Sequence, residues 1–257
     1  MWVGNTITAQ AANNGTEGSA FREPARRFLR FCWQLLEYPP DAHTCRPVKT
    51  SAVEAIIAAQ KFDSHAASEL SDLLAVVAER SGRNAGVDDL ERGARFVCSY
   101  IEQVPYMMKV AWTAAVNVGL EAEMERILAM ATSYWEQGDD IIPDYLGIIG
   151  LMDDAYCSLS SLQAVSDHFQ LQTGKYLFPD DLSAANRAMR KIIGEPYASE
   201  LDRLVIGTMK QSELIESVKK LSSQEKQLDF ARQSTIWNHG PVGRMDLQDI
   251  AGLGLAD

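Results

Sequence analysis

The sequence LEAEMERILAMATSYWEQG, residues 120–138, has the apolar spacing of an amphipathic helix. Its apolar side chains recur every three or four residues, at Leu120, Met124, Ile127, Leu128, Ala131 and Trp135. Positions with this spacing share one face of a helix, and the polar residues between them fall on the opposite face. The segment therefore predicts a helix that buries one stripe of side chains against a core.

Similar spacing continues on both sides of this segment, whereas alternating strand patterns and clusters of β-branched residues are scarce in the sequence. We therefore predict an all-α fold, a compact multi-helix domain of about ten helices. One of these helices is expected to begin at Pro105, because proline is tolerated in the first turn of a helix. A central helical hairpin is expected where the chain becomes rich in aspartate.

The expected domain plan has three parts. Residues 1–19 are rich in Asn, Gly, Thr and Ala and predict a disordered tail. Residues 20–240 predict a single all-α domain, which could divide into two lobes, 20–118 and 119–240. Residues 241–257 predict a C-terminal tail or a short helix.

The net charge and the cysteine spacing of the chain limit the classes of function that it can have. The 257 residues carry a net charge of −11, which argues against broad nucleic-acid binding and against attachment to an anionic membrane by charge alone. The four cysteines show no CxxC spacing, residues 1–20 lack a signal-peptide pattern, and no apolar run reaches about 20 residues. We therefore expect a soluble cytoplasmic protein with little membrane contact.

The aspartate corner, residues 138–154, interrupts the helical pattern within the sequence GDDIIPDYLGIIGLMDDAYCSL, residues 138–159. Aspartate side chains often accept hydrogen bonds from the free backbone amides at helix starts. Asp139 or Asp140 could cap one helix, with Pro143 in its first turn, and Asp153 or Asp154 could cap another that begins near Ala155. This structural interpretation needs no cofactor, and its motif is Asp140, Pro143, Asp144, Gly147, Gly150, Asp153 and Asp154.

A second interpretation makes the aspartate corner a metal site. Carboxylates that converge bind Mg²⁺ or Mn²⁺, which prefer oxygen ligands, and such an ion can activate water for the hydrolysis of a phosphoester. Asp140 and Asp144 would share a helix face, and a bend at Gly147–Gly150 could bring the second pair toward them. The ligands would be Asp140, Asp144, Asp153 and Asp154.

The same region resembles the YkvA-like domain, a small helical bacterial domain of unknown function. The resemblance extends from Tyr134 to His168 and consists of a D-x-I-P-D corner, a glycine-containing apolar stretch and a paired aspartate. These features fall here on Asp140, Ile142, Pro143, Asp144, Gly147, Gly150, Asp153 and Asp154. The resemblance implies a helical corner and brings no activity with it.

A basic helix is predicted at residues 21–38, FREPARRFLRFCWQLLEY. Its arginines lie opposite its apolar face and could contact a membrane or a partner, at Arg22, Arg26, Arg27 and Arg30. Alternatively, the helix packs in the core and its arginines form only a solvent-exposed face.

The sequence lacks GxSxG, HExxH, Walker A and GxGxxG motifs, and we assign no catalytic residue. Our first hypothesis is a non-enzymatic helical protein-binding or regulatory protein. A role in a bacterial defence, stress or toxin-antagonist system would suit its acidity. The partner would be another protein of unknown identity or a second copy of the chain. The alternatives are a divalent-metal-dependent phosphoester hydrolase and a peripheral membrane protein that uses the basic helix.

Overall fold

The computed structural model describes residues 50–60, 64–137, 141–222 and 247–255, with the backbone alone for residues 64–67, 144, 145 and 222. Regular structure in these ranges is entirely helical, which confirms the all-α prediction. The α-helices are α1 Ser51–Gln60, α2 Ser64–Arg80, α3 Val87–Val118, α4 Glu121–Trp135, α5 Leu151–Thr173, α6 Ser183–Ile193, α7 Tyr197–Gln211 and α8 Leu214–Ser222. Two 3₁₀ helices complete this part of the chain, η1 Asp144–Ile149 and η2 Leu247–Leu253. The tail predicted for residues 1–19 and the basic helix with Arg22, Arg26, Arg27 and Arg30 lie outside the described residues.

Helix α5 is the central element, and α3, α4, α6, α7 and α8 pack around it. Most of its side chains are buried, including several small polar ones. These polar groups bond to neighbouring elements: Trp135 Nε1 donates to Ser158 Oγ at 3.0 Å, and the Leu182 amide donates to Gln163 Oε1 at 2.7 Å. Since a buried polar group is costly without a partner, such bonds favour one arrangement of the surrounding helices.

Helix α3 runs through Pro105 without a break, so the prediction that a new helix begins at this proline is wrong. An interior proline removes one hydrogen bond and costs about 3 kcal/mol. The neighbouring side chains of Val104, Met107 and Met108 are fully buried, and each contributes about 1.5–3 kcal/mol by leaving water. Their combined burial outweighs the local cost, and the helix therefore continues.

The C-terminal segment is part of the core. Helix η2 packs on α3 and α2, with Ile250 and Leu253 fully buried. Gly93 on α3 makes room for it, because a Cβ atom at this position would lie only 2.6 Å from Leu253 Cδ1. The tail or short helix that we predicted for residues 241–257 thus contains a 3₁₀ helix with long-range contacts.

Candidate functional site at the aspartate corner

The backbone of the corner turns in two steps between α4 and α5. Pro143 has an extended backbone (φ −63°, ψ 132°) and precedes η1, so it does not occupy a helical first turn as expected. Within η1 the chain bends at Gly147, whose φ of 65° and ψ of −129° favour glycine. Gly150 is helical in φ and ψ, so the bend is at the first of the two glycines.

Helix α5 begins at Leu151, earlier than expected. Asp153 and Asp154 therefore lie within its first turn, and the prediction that one of them is the N-cap of a helix beginning near Ala155 is wrong. The earlier start buries the apolar side chains of Leu151 and Met152 completely. The gain from this burial explains why the helix includes the two aspartates.

Asp153 ties the corner to both flanking helices. Its side chain is 0% exposed, and its Oδ2 accepts hydrogen bonds from the Ile142 amide at 2.9 Å and the Tyr134 hydroxyl at 3.1 Å. Tyr134 lies in the last turn of α4, and Ile142 lies just before η1. We call Asp153, Ile142 and Tyr134 the Asp153 clasp. The carboxylate does bond a free backbone amide, as the structural interpretation requires, but that amide belongs to the preceding segment.

Burial dominates the electrostatics of the clasp. It raises the pKa of Asp153 to about 7, although the Ile142 amide, the Tyr134 hydroxyl and the amides of Asp153 and Asp154 favour the charged form. Within the described part of the chain, Oδ1 of Asp153 accepts no hydrogen bond. An unsatisfied buried acceptor costs about 1–3 kcal/mol, and a proton on the carboxyl would remove the buried charge near neutral pH.

The structure describes only half of the predicted metal ligands. Asp153 and Asp154 are neighbours in the first turn of α5, 0% and 1% exposed. Asp140 lies outside the described residues, and the side chain of Asp144 is likewise not described. In the described ranges, no group of three or more His, Cys, Asp and Glu side chains is placed to hold a metal ion. The aspartate side chains of the corner offer only oxygen ligands, which Mg²⁺ and Mn²⁺ prefer.

A second polar cluster, which the sequence did not reveal, joins α5 to α6 and α7. Asp202 accepts hydrogen bonds from the Tyr156 hydroxyl at 2.7 Å and from Arg190 Nε at 3.0 Å. Arg190 also donates to Glu195 at 2.8 Å. The partners Tyr156 and Asp202 are far apart in sequence, as are Tyr134 and Asp153, so no local spacing could have identified either pair.

Comparisons with protein-family models, curated proteins and solved structures found no match to this chain. These comparisons therefore give no support to the resemblance to YkvA-like domains. No helix in the described ranges combines the length and the apolar character that crossing a membrane requires.

Proposed function

We propose that this chain is a non-enzymatic helical protein that binds and regulates another protein, within a bacterial defence, stress or toxin-antagonist system. The observation that carries the proposal is the complete burial of the Asp153 side chain. The Asp153 carboxylate is fully buried and bonded to Ile142 and Tyr134, whereas a catalytic carboxylate has to reach its substrate. In this proposal the corner is a rigid joint in a single domain of about ten helices, with a hairpin at the joint, and its outer surface meets the partner.

The charge of the chain supports a protein partner. A net charge of −11 creates a negative field that speeds association with electropositive proteins and repels nucleic acids. Some of the acidic side chains lie in exposed ion pairs, in which Glu54 on α1, Glu216 on α8 and Glu213 between α7 and α8 each face a basic side chain. Such exposed pairs contribute only about 0–1 kcal/mol to stability, so the acidic residues remain available for recognition.

The test begins with capture from cells of the source organism. The full chain serves as bait, and each captured protein is purified and mixed with it again for light scattering. We expect one protein to form a complex of fixed stoichiometry that weakens as salt rises. Asp153→Asn is the control, because the clasp is internal and its change should leave the complex intact. If no purified candidate forms a defined complex with the chain, the binding proposal fails.

The second candidate function, a divalent-metal-dependent phosphoester hydrolase, is favoured by one specific observation. Oδ1 of Asp153 is buried and accepts no hydrogen bond from the described residues, and a cation would be a suitable partner for it. Titration calorimetry with Mn²⁺ and Mg²⁺, on the wild-type chain and on Asp153→Asn, separates the two candidates. Saturable heat that disappears in the variant, together with Mn²⁺-dependent hydrolysis of p-nitrophenyl phosphate, would establish the hydrolase and displace the binding proposal.

A further inference from the structure

A short apolar segment of the chain occupies a groove on the helical body. We call residues 247–255 the latch and the surface of α2 and α3 beneath it the latch groove, which α6 borders on one side. The latch inserts three apolar side chains, of which Ile250 and Leu253 are 0% exposed and Leu255 is 3% exposed. These anchors make the latch resemble a bound peptide with side chains in pockets.

The groove is shaped for a leucine at one position. A Cβ atom on Gly93 would lie 2.6 Å from Leu253 Cδ1 and 3.2 Å from Leu74 Cδ1. Only glycine therefore leaves space at this point of α3 for the leucine of the latch. A polar contact lies at the groove's edge, where Arg95 Nη2 is 3.8 Å from an Asp249 carboxylate oxygen. The latch thus places three apolar side chains against the groove, with an acidic residue directly before the first of them.

The helices that form the groove also contact one another. Helices α2 and α3 pack against each other directly, and α2 also contacts α6. The latch follows residues 223–246, which separate it in sequence from α8. These contacts between the helices of the groove do not involve the latch.

We propose that the latch groove is the docking site for the partner of the function proposed above, and that the latch is a built-in competitor for it. The inference rests on that proposed function. The partner would present a short segment with an acidic residue followed by apolar residues at the first, fourth and sixth positions after it, as Asp249, Ile250, Leu253 and Leu255 do. Because the latch belongs to the same chain, it competes intramolecularly with the partner's segment, and its release would control partner binding.

The test uses full-length chains and a fluorescein-labelled peptide of residues 245–257. Leu253→Asp in the chain should release the latch, because it buries a charge in an apolar site. We expect this variant to bind the peptide at least about 10-fold more tightly than the wild-type chain, since the tethered competitor is gone. Adding Gly93→Leu should abolish binding by filling the groove, and a peptide carrying Leu253→Asp should not bind.

Circular dichroism and thermal melting must show that each variant is folded. Hydrogen exchange on the wild-type chain gives a second readout that does not depend on any variant. Millimolar peptide should accelerate exchange of the latch amides, residues 247–255, and leave α2 and α3 protected. A folded Leu253→Asp chain that fails to bind the peptide, or latch amides unaffected by excess peptide, would overturn the proposal.

Cell capture with the same variants separates this inference from the proposed function. A protein captured more strongly by Leu253→Asp, lost on adding Gly93→Leu and displaced by the peptide supports the groove as its site. A partner that binds all three chains equally overturns the groove assignment and leaves protein binding intact, whereas the absence of any partner removes both. A peptide-sensitive dimer of the wild-type chain would instead identify a second copy as the occupant and overturn the external partner.

Discussion

Replacing Asp153 by asparagine should change the pH dependence of stability in a defined direction. The carboxyl has an ordinary pKa of 3.8 in the unfolded chain, and burial raises its pKa to about 7 in the fold. A raised pKa in the folded state means that protonation favours folding. The contribution is complete below pH 3.8 and is lost as pH rises through about 7. The free energy of unfolding of the wild-type chain therefore falls as the pH rises from weakly acidic to weakly alkaline values.

The size of this penalty follows from the two pKa values. At about 1.36 kcal/mol for each tenfold change in proton affinity, the charged carboxylate lowers the free energy of unfolding by about 4 kcal/mol above pH 7. Asparagine stays neutral, and its oxygen can still accept the bonds from Ile142 and Tyr134. Asp153→Asn should thus gain about 2–3 kcal/mol on wild type between pH 5 and pH 8, with the smaller difference at pH 5.

Urea unfolding of both chains from pH 5 to pH 8.5 measures this difference. Asp181→Asn is a control whose loss of stability should stay constant across this range, because hydrogen bonds from Ser183 lower the pKa of Asp181 below 3.8. Its carboxylate contributes above the unfolded pKa and loses that contribution as pH falls. A constant difference between wild type and Asp153→Asn across this range, or a variant that is less stable at pH 8, would refute the reasoning. The carboxylate would then be charged and paired in the fold.

Three further substitutions test the clasp, the groove and a strained residue. Tyr134→Phe removes the hydroxyl donor to Asp153 and should cost about 1 kcal/mol in urea unfolding, with a larger loss above pH 7; no loss at pH 8 would contradict the clasp. Overpacking should destabilise Gly93→Ala by about 1–3 kcal/mol, and the higher helix propensity of alanine should offset up to about 1 kcal/mol of that loss. The substitution should also accelerate hydrogen exchange at residues 247–255. Unchanged exchange there would count against close packing of Leu253 on Gly93. Glu213 has a φ of 58°, which costs a residue other than glycine about 1–2 kcal/mol of backbone strain. Glu213→Gly should raise the melting temperature slightly, because this strain exceeds the value of the exposed ion pair with Arg126. A lower melting temperature would show that the ion pair contributes more than the strain costs.

Local patterns predicted the fold class, because helical spacing depends on neighbours a few residues apart. The stripe from Leu120 to Trp135 illustrates this, since α4 buries Met124, Ile127, Leu128 and Trp135 as its spacing indicates. Pro105 failed as a boundary because the burial that carries α3 through it comes from distant elements. Leu253 could not be placed either, since its pocket over Gly93 lies far away in sequence.

The prediction for the corner placed Asp153 and Asp154 in the wrong register, because α5 begins at Leu151 and includes both in its first turn. The aspartates suggested caps, because carboxylates commonly bond amides at helix starts. The bond that Asp153 makes instead reaches back to Ile142, and its second donor, Tyr134, lies on the preceding helix. Which amide a carboxylate bonds depends on how two segments cross, and sequence spacing carries no information about that crossing.

A crystal structure of the chain grown or soaked with Mn²⁺, with anomalous scattering recorded, tests the central claim that the Asp153 carboxylate holds backbone and not a cation. We expect the Ile142 amide to remain bonded to Asp153 Oδ2 at about 2.9 Å, with no anomalous peak beside that carboxylate. An Mn²⁺ ion bound by Asp153 together with Asp140 or Asp144 would contradict the claim and make the corner a metal centre.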